Sequence, residues 1–141
     1  MDYGPSLGRR FRALKLWFVI RYFGAEGLRE RIREHCRLAG GFVDRLDADS
    51  RWERAAPVPF GTVVFRFVGK GVDLTGLDGI NMQIMETANA TGRVFLSHTR
   101  LRGATYLRLS VGNLKTLPEH MDRTWRILSE AANSLEPVLT G

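Results

Sequence analysis

The chain has 141 residues, 44% of them hydrophobic, a single cysteine and a net charge of +6 at neutral pH. That length fits one domain that buries roughly two-thirds of its unfolded surface, and one cysteine excludes an internal disulfide, which suits a reducing compartment. The densest apolar stretch, Leu14 to Phe23, carries Lys15 and Arg21 and falls well short of the ~20 apolar residues of a membrane span; Gly24-Ala25-Glu26 follows it in place of a signal-peptide cleavage site, so the expectation is a cytoplasmic protein with no membrane partner.

In chain order, residues 6–24 (SLGRRFRALKLWFVIRYFG) predict a first helix, with Leu7, Phe11, Leu14 and Phe18 at helical spacing, Ser6 available as cap and Gly24 placed to end it in a left-handed turn. Past its arginines this helix is apolar nearly all round, so both of its sides must be covered. Two arrangements satisfy that: a cover from outside these residues, or a central place between the second helix and the sheet. The second helix, Glu26 to Leu46, is amphipathic, with Leu28, Ile32, Ala39, Phe42, Val43 and Leu46 on one stripe and Arg29, Arg33 and Arg37 on another face.

From Trp52 the period changes. Pro57 and Pro59 exclude helix, and Thr62 to Val68 is a β-branched and aromatic run with Val63, Phe65 and Phe67 on one face, giving two strands joined near Phe60-Gly61. Gly69, Gly71 and Gly76 mark a loop before a third helix, Leu77 to Thr91, whose buried stripe is Leu77, Ile80, Ile84 and Ala88 and whose stop is Gly92. A hairpin follows, Arg93 to Thr99 and Thr105 to Val111, turning at Arg102-Gly103. Thr116-Leu117-Pro118-Glu119 has capping-box spacing and opens a last helix through Ala131, with Met121, Trp125, Leu128 and Ala132 inward. The order α-α-β-β-α-β-β-α predicts an α+β fold: a small antiparallel sheet of about four strands, helices packed on one side, preceded by a helical hairpin.

Among candidate site residues Arg108 stands out. In TYLRLSVG the residues Leu107, Leu109 and Val111 share one face and Tyr106, Arg108 and Ser110 the other. A planar guanidinium on a rigid strand suits bidentate binding of a carboxylate or phosphate, and the competing reading is a solvated surface arginine. Arg9, Arg10 and Arg12, with Gly8 beside them, sit where a helix N-terminus favours an anion; the competing reading is an interface helix whose arginines meet a partner's carboxylates. The three histidines, His35, His98 and His120, share no metal spacing, and no metal site is expected. Gly69-Lys70-Gly71 lacks the frame of a P-loop, and no catalytic triad context appears. The positive charge raises a nucleic-acid reading, but the arginines are scattered and no aromatic RNA-binding run, zinc-finger spacing or helix-turn-helix accompanies them, which argues against nucleic acid as a partner.

The run Leu7-Gly8-Arg9-Arg10-Phe11-Arg12-Ala13-Leu14-Lys15-Leu16-Trp17-Phe18, then Tyr22-Phe23-Gly24, Gly27-Leu28 and Ile32-Arg33, resembles the start of the C-terminal small domain of pyridoxal-phosphate-dependent group II decarboxylases, the aromatic-L-amino-acid, tyrosine and tryptophan decarboxylase family. Phe65-Arg66-Phe67, Thr91-Gly92, Phe95 to Thr99 and Leu107 to Asn113 continue the likeness in order. The resemblance implies the C-terminal domain of a fold-type-I enzyme, divided into an interface helix at 1–24, linking to a missing large domain, and a small α+β domain at 25–141. It further implies a homodimer, an amino-acid substrate, and a cofactor lysine in the absent N-terminal large domain. Lys15, Lys70 and Lys115, the only lysines, lack the Asn-x-His-Lys context of that lysine, so this chain alone is expected to bind no pyridoxal phosphate and to hold no catalytic residue. Met1 is then an internal methionine of a longer protein or the start of a truncated product. Two residues carry over: Gly8, approaching the cofactor phosphate region of the neighbouring subunit, and Arg108, toward a substrate carboxylate. A free-standing interaction or dimerisation module built from that domain stands beside this reading, and a basic nucleic-acid-binding domain stands third.

Overall fold

The computed structural model describes residues 11–69 and 76–139, with side chains of the last helix described to residue 135. In chain order the elements are α1 (Arg12–Ala48), β1 (Trp52–Arg54), β2 (Thr62–Phe67), α2 (Leu77–Ala90), β3 (Ser97–Leu101), β4 (Ala104–Ser110) and α3 (Pro118–Leu139). The four strands form one antiparallel sheet in the order β1-β2-β4-β3. Because β4 lies between β2 and β3, the crossover through α2 is a split one, and α2 covers the face it crosses.

Strand alternation builds the core. Val63, Phe65 and Phe67 of β2 and Leu107 and Leu109 of β4 are buried on one face, with Phe65 opposite Leu107 and Val63 opposite Leu109. Onto that face pack Leu38, Ala39, Phe42 and Leu46 of α1 and Leu77, Ile80, Ile84 and Ala88 of α2, while Met121, Leu128 and Ala132 of α3 complete the same core. An aromatic cluster locks the layers, with ring centroids 5.4 Å apart for Phe42 and Phe65 and 5.9 Å for Trp52 and Trp125, in the tilted geometries such rings prefer. The α+β architecture with helices on one side is as expected.

Several boundaries differ from the sequence reading, each for a visible reason. β3 begins at Ser97 rather than Arg93, because Leu96 spends its backbone elsewhere: its N–H donates to Asn89 Oδ1 at 2.7 Å and its carbonyl accepts from Asn89 Nδ2 at 2.9 Å. Thr116 does not cap α3. The helix starts at Pro118, a residue suited to the first helical position, and His120 Nδ1 accepts the Leu117 N–H at 2.9 Å, taking over the back-bonding half of a capping box. α3 also runs on past Ala131 to Leu139. Ile32, placed on the inner stripe, is 56% exposed, since α1 is buried only from Leu38 onward.

α1 is two helical segments meeting at Gly24, whose φ of 65° and ψ of 175° interrupt the helix where a residue without Cβ is needed. The first segment is not sandwiched between helix and sheet. Its eight large apolar residues from Phe11 to Tyr22 are 42% to 83% exposed. Elsewhere the chain closes tightly: a Cβ on Gly61 would stand 2.6 Å from the Val111 carbonyl oxygen, where β2 and β4 part. The β3–β4 turn holds positive φ at both Arg102 (51°) and Gly103 (83°), the signature of a two-residue hairpin turn.

Asp78 ties α2 to the sheet. Its Oδ1 accepts the Thr105 N–H at 2.7 Å, and that bond chiefly holds its carboxyl below the ordinary aspartate range. A depressed carboxyl stabilises the fold above its unfolded value and loses that contribution as pH falls through the folded one. Wild type is therefore expected to exceed Asp78→Asn in stability at neutral pH, with the gap closing on acidification; equilibrium unfolding across pH measures it, and a gap undiminished near pH 2 would contradict this account.

Candidate functional site

Among the described residues helices cover only one face of the sheet, and the residues that alternate outward form a polar surface on the other. On it, Arg108 projects from β4, a central strand flanked by β2 and β3 and therefore rigid. Leu107 and Leu109 on either side of it are buried, as the alternation predicts, and Arg108 itself is exposed. Its cross-strand neighbour Ser97 holds it: Arg108 Nε donates to Ser97 Oγ at 3.0 Å, a bond that does not use the two terminal nitrogens of the fork. Such a fork can take an oxyanion in bidentate fashion.

A second arginine shares this face and was not singled out from sequence. Arg66 on β2 pairs with Glu53 of β1 and lies over the Tyr106 ring at 5.1 Å, while the Tyr106 hydroxyl donates to Glu53 Oε1 at 3.3 Å. Glu53 is thus shared by a cation and a phenol from two other strands, a network that depends on β1, β2 and β4 lying in this register. The nearest signal in the sequence is the outward place of Arg66 in TVVFRF. Arg66 and Tyr106, with Asp78 and Arg102, line a cavity of about 550 Å³ near the β3–β4 turn, and Arg108 does not.

The other candidates are scattered. Gly8, Arg9, Arg10 and Lys70 lie outside the described residues. His35 is on α1, His98 on β3 and His120 caps α3. Among the described residues no three histidine, cysteine or acidic side chains gather as a metal site, and no helix is long and apolar enough to cross a membrane. Cys36 Sγ lies 4.0 Å from the Pro59 carbonyl oxygen. The described lysines, Lys15 on α1 and Lys115 in the loop after β4, are both exposed, whereas a lysine that attacks a carbonyl cofactor is normally activated by desolvation or by a cationic neighbour.

The family model described as "Pyridoxal-dependent decarboxylase conserved domain" matches residues 1–68. That match takes in 68 of the 141 residues, just under half of the chain. Likeness to members of this family extends through nearly the whole chain. Tryptophan decarboxylase 2 of Oryza sativa subsp. japonica is 40% identical over 134 residues, covering 95% of this chain and 27% of that protein. Phenylacetaldehyde synthase of Arabidopsis thaliana is 37% identical over 134 residues, again 95% of this chain and 27% of the relative. Among solved structures, Oryza sativa TDC with PLP and tryptamine superposes with a TM-score of 0.84 at 33% identity, covering 92% of this chain and 28% of that one. The chain thus spans about a quarter of the length of the decarboxylase relatives it matches (27%), and pyridoxal phosphate is the cofactor of the full-length enzymes. The two described lysines, Lys15 and Lys115, are both exposed and do not fit the desolvated setting in which a lysine holds such a cofactor.

Proposed function

We propose that the chain is the C-terminal part of a cytoplasmic, homodimeric, pyridoxal-phosphate-dependent decarboxylase of aromatic L-amino acids. In this reading an N-terminal large domain carries the cofactor lysine, and the present residues contribute dimer contacts and one wall of the substrate pocket. The observation that supports it most is the match of 95% of this chain to only 27% of a tryptophan decarboxylase. The cofactor supplies the electron sink when the substrate carboxylate is lost; this part of the enzyme supplies shape, charge and contact area.

The first segment of α1 supports the same reading physically. Phe11, Trp17, Phe18 and Tyr22 are each more than half exposed, and burying an aromatic or branched apolar side chain contributes about 1.5 to 3 kcal/mol. Covered by the large domain and the second subunit, the two segments of α1 would form the helical hairpin at the head of a fold-type-I small domain. Gly8, just ahead of them, would approach the cofactor phosphate of the neighbouring subunit, and Arg108 would face the substrate carboxylate. The relatives include an aldehyde synthase as well as decarboxylases at similar identity, so this region is read as a shared frame rather than the part that selects between amine and aldehyde. The same exposed segment, with no anchoring lysine behind it, favours one second reading, a free-standing dimerisation module.

Expression of the natural reading frame, extended upstream and loaded with pyridoxal phosphate, tests the enzyme reading: amine or aldehyde is expected from tryptophan or tyrosine, and neither product from any aromatic amino acid would exclude it. In that protein Arg108→Lys is expected to raise KM about tenfold with a smaller change in kcat, as loss of a bidentate contact does. Unchanged kinetics would remove Arg108 from the pocket.

A further inference from the structure

We infer that the cavity between the end of α2 and the flank of α3 is a binding site for a small phosphomonoester. The cavity, of about 320 Å³, is lined by Arg93 from the turn after α2, by Arg123 and Arg126 one helical turn apart on α3, and by Thr91, Ile127 and Glu130. It is a different surface from the outer sheet face that holds Arg108, and the argument does not depend on the decarboxylase reading.

The case rests on where this fold leaves its cations unpaired. Around the sheet several arginines are paired: Arg51 with Asp49, Arg54 with Asp47 and Arg66 with Glu53. Arg93, Arg123 and Arg126 enter no ion pair among the described residues, although Glu130 lies one turn beyond Arg126 and lines the same cavity. Three guanidinium groups against one carboxylate leave a net double positive charge on a single concave surface. Like charges held together repel, and an anion that enters relieves the repulsion.

The local backbone does not compete for these cations. Two of the carbonyls that end α2 are already satisfied: Ala88 O accepts from the Thr91 N–H and hydroxyl, and Asn89 O accepts from the Gly92 N–H. The Thr91 hydroxyl also accepts the Arg93 N–H at 3.2 Å, fixing the turn from which that arginine leaves. Arginine forks match the oxygen geometry of phosphate, and a phosphomonoester dianion, with three terminal oxygens, matches three forks and a double positive charge better than a single carboxylate does. Ile127, only 9% exposed, gives the floor an apolar patch for the ester carbon.

Isothermal titration of the full chain with inorganic phosphate and with glycerol 3-phosphate, at constant ionic strength so that screening is equal throughout, tests this. The expected result is saturable one-to-one binding of both. The double variant Arg123→Gln/Arg126→Gln is expected to bind about tenfold more weakly or worse, as loss of a charge-assisted hydrogen bond implies, and Glu130→Gln is expected to bind more tightly. Arg29→Gln, which removes an exposed arginine on α1, should bind as wild type. Should the double variant fail to fold, Arg93→Gln, at an exposed turn position, carries the same comparison. Absence of saturable binding, or equal affinity with the lining arginines replaced, would overturn the inference.

Discussion

Purified residues 1–141, supplied with pyridoxal phosphate and tryptophan or tyrosine, are expected to form no amine above the background of the free cofactor. The physical reason is the lysine inventory. Lys15 and Lys115 are solvent-exposed on a helix and in a loop, without the desolvated or cation-flanked setting that activates a lysine as a nucleophile. Among the described residues of the open sheet face Arg108 is bonded to Ser97, and Arg66 and Glu53 form an ion pair whose carboxylate also accepts the Tyr106 hydroxyl. Since enzymes of ordinary power accelerate reactions by on the order of 10⁶-fold or more, the difference between this chain and a complete enzyme should be total in a product assay. Turnover that survives replacement of all three lysines, or any turnover at an enzymatic rate, would show that the chemistry lies in these residues after all.

The largest stability effect is expected at Asn81. This side chain is fully buried, yet it is not an apolar position that a Leu would improve. Its Oδ1 accepts the Phe67 N–H at 2.8 Å, and its Nδ2 donates to the Phe67 carbonyl at 2.9 Å and to the Leu77 carbonyl at 2.8 Å. Asn81 thus closes the end of β2 in place of a further strand and ties it to the first turn of α2. Asn81→Leu keeps the branched four-atom outline, somewhat enlarged, but leaves both backbone groups of Phe67 buried without a partner, and each such group costs about 1 to 3 kcal/mol. A loss of roughly 2 to 6 kcal/mol is therefore expected in urea unfolding, read as a lower midpoint at unchanged slope. A change below ~1 kcal/mol would mean that water or a relaxed backbone satisfies Phe67 instead.

Asn81 also marks what could be read from sequence and what could not. Elements whose apolar residues repeat at one period were legible: Val63, Phe65 and Phe67 alternate, Leu77, Ile80, Ile84 and Ala88 follow a helix, and all seven are buried. Two of the boundaries that shifted are set by a side chain bonding to backbone a few residues away. Asn89 holds both backbone groups of Leu96 and so delays β3, and His120 rather than Thr116 closes the start of α3. A polar residue's partner depends on tertiary placement, which periodicity does not encode. The outward face of Arg108 followed from alternation alone, whereas the Glu53, Arg66 and Tyr106 network required the pairing of three strands. The arginines of the α2–α3 cavity come from positions 93, 123 and 126, too far apart in the chain for any local motif. For the first segment of α1 the sequence stated a need, a helix apolar on every side, and the exposure of Phe11 to Tyr22 shows that the described chain does not meet it.

That unmet need is the physical core of the functional proposal, and the reading frame ahead of Met1 tests it most directly. Sequencing the source DNA upstream and translating it in frame is expected to yield an open frame of a large domain carrying an Asn-x-His-Lys stretch, the lysine these residues lack. An in-frame stop immediately ahead of Met1 would contradict the account, and the free-standing dimerisation module would take its place.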